Sequence, residues 1–131
     1  MATGLENLKI YQMAEELELE VFHLTNIFPK DKKYRSVDQL RRSSSSATNN
    51  IAGAYNKRSL KEKVRILHDI VKSEAEETKR NLAICLKKEF HNNREIVDKY
   101  TELIKAVGGY IRFLRNTSVK GTQGTYQLIN L

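Results

Sequence analysis

Residues 10–28 read IYQMAEELELEVFHLTNIF, and this stretch decides the fold. Its apolar positions Ile10, Ala14, Leu17, Val21, Leu24 and Phe28 step by 4, 3, 4, 3, 4, the spacing of a coiled-coil-like seam on one face of a helix. Pro29 follows, and a residue before proline is pushed out of the helical region, so the helix is expected to close at Phe28. The same stepping recurs three times downstream. Lys30 to Tyr34 form a polar turn, and Ser36 with Gln39 has capping-box spacing. Val37, Leu40, Ser44, Ala47, Ile51 and Ala54 then make a second seam. After a break at Asn56 to Arg58, the capping box Ser59 to Glu62 predicts a third helix from Leu60. Its seam is Leu60, Val64, Leu67, Val71, Ala75, Thr78, Leu82 and Cys85, with one extra residue between Val71 and Ala75 that predicts a local stutter. Phe90 to Asn93 read as a turn with Asn93 as the next cap. Ile96, Tyr100, Leu103, Val107, Tyr110 and Leu114 are the fourth seam. Four amphipathic helices with short connections predict an all-α protein, an antiparallel up-down four-helix bundle.

The 131 residues suit one domain, with the bundle over residues 1–116 and a flexible tail over 117–131 around Gly121 and Gly124. With 40% apolar and 30% charged residues, no run approaches the roughly 20 apolar residues of a membrane span, so no membrane role is expected. No basic region precedes an apolar stretch at the amino terminus, and the expected location is the cytoplasm. Cys85 is the single cysteine, which excludes an internal disulfide and a cysteine-based zinc site.

The net charge of +7 is unevenly placed. Residues 30–65 carry a net +8 and the remainder −1, while residues 5–28 hold five Glu against one Lys. A clustered positive field attracts phosphate backbones, although charged residues also make ordinary solvated helix surface. The candidate nucleic-acid-binding residues are Lys32, Lys33 and Arg35 in the first turn and Arg41 and Arg42 along the second helix. Lys57, Arg58, Lys61 and Arg65 follow at the next corner. Arg41 and Arg42 are equally open to pairing with Glu side chains of the first helix or of a neighbouring copy. No RNA-reading module is recognisable, and binding is expected to be backbone-directed and sequence-tolerant.

Other features are read as packing. Ser43 to Thr48 lie in phase with the second seam and make a small-residue face. Ile66, Ile70 and Ile84 lie off the third seam and belong to a wide buried face or to a subunit contact. Gly108-Gly109 is expected at a close helix contact. Glu20 and His23 have the Glu-x-x-His spacing of di-iron bundles, but no second pair exists. The run Ser43 to Ser46 has no base and orienter at a recognisable spacing. Neither an enzyme nor a cofactor is expected.

Phe28-Pro-Lys, Tyr34, Gln39-Leu-Arg-Arg42, Ser46 and Asn50-Ile-Ala52 together resemble the four-helix bundle family encoded in intervening sequences of bacterial large-subunit ribosomal RNA genes. Leu5-Glu-Asn-Leu8 with Ile10-Tyr11-Gln12 looks like its first helix, and Gly109-Tyr-Ile-Arg-Phe-Leu114 like the close of its fourth. Ala47-Thr48 stands where that family has Ile-Pro, and Gly53-Ala54 where it has Glu-Gly. The resemblance, over about residues 5–116, implies a non-catalytic nucleic-acid-binding bundle in a homopentameric ring. RNA or an RNA–DNA intermediate is the implied ligand. A sister group, the accessory variability determinant of diversity-generating retroelements, implies the alternative of a scaffold that binds a reverse transcriptase and nucleic acid.

Overall fold

A computed structural model describes residues 4–31 and 34–121. A 3-10 turn, Leu5–Asn7, leads into α1, Lys9–Thr25, and then α2, Tyr34–Tyr55. Next, α3, Leu60–Arg65, runs without a break through a π-helical segment, Ile66–Val71, into α4, Lys72–Lys87. The last helix is α5, Arg94–Gly121. Among the described residues there is no strand, and the helices make a four-rod bundle in which α3, the π segment and α4 are one rod.

The seams are the core. Ile10, Ala14, Leu17, Val21 and Phe28 are buried in one cluster with Leu40, Ile51 and Ala54 of α2 and with Leu67, Val71, Ala75, Leu82 and Cys85 of the third rod. Ile96, Tyr100, Leu103, Val107, Ile111 and Leu114 close it from α5. The small-residue face of α2 packs as its phase requires. Ser43 and Thr78 are both buried, with their hydroxyl oxygens 2.6 Å apart. Each hydroxyl also faces a carbonyl of its own helix, Thr78 that of Glu74 at 2.8 Å and Ser43 that of Leu40 at 3.5 Å.

Several local expectations change. Regular helix α1 stops at Thr25, and i→i−3 bonds from Asn26, Ile27 and Phe28 tighten its end before Pro29. The Ser36–Gln39 box does not start α2, which begins at Tyr34. The Ser59 box forms as read, with Glu62 N–H donating to Ser59 Oγ at 3.2 Å. So does the Asn93 cap, whose Oδ1 accepts from Ile96 N–H at 3.1 Å. The irregularity of the third rod falls at Ile66–Val71, one turn before the expected stutter, because a wider π turn brings both Ile66 and Leu67 into the core. Gly108 and Gly109 make no close contact with another helix. A Cβ on either would meet only Arg112 of the same helix, at 3.8 and 3.7 Å. Helix α5 continues past residue 116 to Gly121, with Thr117 buried, and residues 122–131 of the expected tail lie outside the described residues.

Between α4 and α5 the chain turns on a left-handed residue that is not glycine, Glu89, at φ 65°. Phe90 N–H donates to the Cys85 carbonyl and Glu89 N–H to the Leu86 carbonyl, the two bonds of a Schellman motif. His91, buried beyond it, stacks on Phe28 at 5.7 Å between ring centroids. Its Nδ1 accepts from Asn93 N–H at 3.0 Å, which leaves Nε2 as the donor to the Leu82 carbonyl.

Candidate nucleic-acid interface

The fold divides the basic segment into cations that hold the bundle and cations that face solvent. Arg41 belongs to the first group. Its Nε donates to Thr25 Oγ1 at 2.9 Å, and Nη2 donates to Asn26 Oδ1 at 2.8 Å and to the Phe22 carbonyl at 3.3 Å. Its guanidinium carbon lies 4.5 Å from the centre of the Phe22 ring. A cation at the end of α1 satisfies orphan carbonyls and matches the negative end of the helix dipole. Lys63 does the same for α2, donating to the Tyr55 carbonyl at 2.8 Å and the Ala54 carbonyl at 3.4 Å. Only 5% of Lys63 is exposed, and burial pushes its ammonium pKa down. Composition counts both residues as surface charge. The signal that separates them is phase: Arg41 lies four residues after Val37 and three before Ser44, and Lys63 three after Leu60 and four before Leu67.

Arg42 is exposed and pairs at 3.3 Å with Glu77 of α4, not with an acid of α1. Arg65 is held by Glu62 through two bonds, Nε to Oε2 at 3.2 Å and Nη2 to Oε1 at 3.1 Å. Those bonds hold the Glu62 carboxyl below its ordinary range, and the positive field of Lys57 and Lys61 adds to the effect. Lys57, Lys61 and Arg65 therefore surround one carboxylate, with Arg58 next in the chain. Lys57, Arg58 and Lys61 are exposed, and their side chains make no hydrogen bond or close ion pair among the described residues. This is the corner between α2 and α3, where Lys57 N–H donates to the Ala54 carbonyl and turns the chain. Arg35 is exposed on the first turn of α2, away from that corner, and Lys32 and Lys33 lie outside the described residues.

The three isoleucines separate. Ile66 is 6% exposed and packs in the core of its own chain, which the π turn explains. Ile70 is half-buried against the same core, and Ile84 is 41% exposed. Among the described residues no group of three His, Cys, Asp or Glu side chains is placed to hold a metal ion, and no helix is long and apolar enough to cross a membrane.

No curated protein matches the sequence. The family model for 23S rRNA-intervening sequence protein matches residues 6–111, which covers the first three rods and most of the fourth. That match gives no support to a link with the accessory proteins of retroelements. The all-helical bundle, the seams in their order and this match agree, and the chain belongs to the 23S rRNA-intervening sequence protein family.

Proposed function

We propose that the protein is a non-catalytic nucleic-acid-binding bundle, its rods running alternately up and down, that works in the cytoplasm as a homo-oligomer, a pentameric ring. The observation that carries the binding role is the corner of Lys57, Arg58 and Lys61, three exposed cations without a close ion pair beside the Arg65–Glu62 pair. A structural surface balances its charges, as Arg42 and Glu77 do; this corner carries three cations around one carboxylate, with Arg58 next in the chain. Phosphates are the ligands that such an excess attracts without reading sequence. For the ring, the apolar surface available to neighbours includes Leu19, Phe22 and Ile84, with Ile66 already taken up by the core.

The test is the triple change Lys57→Glu, Arg58→Glu and Lys61→Glu, assayed by filter binding on structured RNA with circular dichroism and light scattering alongside. Binding is expected to vanish while helicity and mass stay unchanged. With about four phosphates engaged, wild-type affinity is expected to fall roughly 50- to 150-fold between about 50 and 200 mM salt. Undiminished binding by a folded triple variant overturns the assignment.

A further inference from the structure

We propose that Phe113 is a stacking platform for an unpaired nucleobase, at the same end of the bundle as the Lys57–Lys61 corner. The proposal rests on the nucleic-acid reading above and narrows its ligand to a single-stranded segment.

Phe113 lies on α5 with 42% of its surface exposed, a large apolar ring in water. It is not loose. The ring stacks on Tyr110, with centroids 6.1 Å apart and planes 21° from parallel. Tyr110 is half-buried and borders the same tight space as Ala54, Tyr55 and Lys63, where α2 ends. Burial and the neighbouring Tyr55 push the Tyr110 phenol pKa up. The outer ring is thus held by an inner ring anchored at the end of α2, and Lys57 and Arg58 follow Tyr55 within three residues.

Cations flank the platform. Arg112 and Arg115 are exposed and have no partner among the described residues. Arg112 lies back along its own helix over Gly108 and Gly109, where missing side chains leave it room. From Leu103 to Leu131 the chain contains no Asp or Glu, so no carboxylate of this segment repels a phosphate. An exposed planar ring with two exposed arginines on the same turn of helix, at the end of the bundle that carries the basic corner, matches the two parts of a nucleotide: a π face for the base and positive charge for the backbone. A duplex keeps its base faces covered, and only an unpaired strand presents them. The same charges argue against the like end of a second copy as the occupant, since two basic ends repel.

The experiment compares a 20-nucleotide mixed-sequence RNA with the same strand annealed to its complement. Phe113→Ala is expected to weaken single-strand binding about tenfold and to leave duplex binding within about twofold. Phe113→Leu, which keeps apolar bulk without a π face, is expected to behave like Phe113→Ala. The chain has no Trp, so Phe113→Trp supplies a single indole whose fluorescence is expected to be quenched by the single strand and not by the duplex. Equal losses on both RNAs, or wild-type single-strand affinity in either the Ala or the Leu variant, overturn the stacking role. A change of mass in Phe113→Ala by light scattering also overturns it, because the ring then belongs to a subunit contact. If the wild-type chain binds neither RNA, the reading under Proposed function falls with it; intact binding of both RNAs by Phe113→Ala removes the platform alone.

Discussion

The ammonium of Lys63 lies 2.8 Å from the backbone carbonyl of Tyr55, so a buried side chain of the third rod closes the end of the second. Arg41 closes the end of α1 in the same manner through Thr25, Asn26 and Phe22. Each joins a rod to the one before it in the chain. Neither is available to a phosphate without giving up its carbonyls.

Lys63→Met keeps the apolar stem and removes the donor. It is expected to cost about 1–3 kcal/mol, because the Tyr55 and Ala54 carbonyls lose a partner in a site that water reaches poorly. Urea unfolding is expected to show a lower midpoint with an unchanged slope. RNA affinity is expected to hold, which separates this cation from Lys57 and Lys61.

At Glu89 the expected change is a gain. The residue holds φ 65° in the Schellman turn, where a side chain costs about 1 kcal/mol relative to glycine. Glu89→Gly is expected to raise the melting temperature by a few degrees. A lower melting temperature would show that the Glu89 side chain is worth more than its backbone strain.

Tyr100 governs the alkaline limit. It is almost fully buried, makes no hydrogen bond among the described residues, and burial raises its phenol pKa far above the ordinary 10.0. The folded chain holds that proton more tightly than the unfolded one. Its contribution to stability is therefore complete below pH 10.0 and is lost as pH rises through the folded value. Tyr100→Phe is expected to be close to neutral at pH 7 and to move alkaline unfolding to higher pH, with circular dichroism at 222 nm as the readout. An unmoved alkaline transition would assign it to other groups.

Glu62→Gln releases Arg65 from its carboxylate and removes the one negative charge that Lys57, Lys61 and Arg65 surround. RNA affinity is expected to rise, and the slope of log affinity against log salt to steepen by about one. A weaker complex would mean that Arg65 binds only when Glu62 orients it.

Most of the fold is legible in the sequence because the seams repeat without interruption. Ile10, Ala14, Leu17 and Val21, or Ile96, Tyr100, Leu103 and Val107, need only a helical period to be placed inside. The caps at Ser59 and Asn93 are legible for the same reason: each depends on a local spacing. The Ser36 box has that spacing too, but a helix that starts two residues earlier overrides it. The site is less legible. Lys61 and Lys63 are the same residue type two positions apart, and only packing makes one a surface cation and the other a buried cap. Ile66 reads as off-seam because the period assumes 3.6 residues per turn, and the chain departs from it at that point.

That departure aims the corner. A π turn accommodates about one residue more than an α turn, and one residue is about 100° of rotation about the axis. Lys61 and Arg65 precede the segment Ile66–Val71, whereas Glu77 and Ile84 follow it. The two halves of the rod therefore work as separately clocked dials on one shaft. The lower half can keep Thr78 and Leu82 facing the core while the upper half points its cations where the bundle's end requires. Removing one residue from the segment would reset one dial against the other, turning either the cations or the seam out of place. The core and the corner are thus set on one rod at angles that a single wider turn relates.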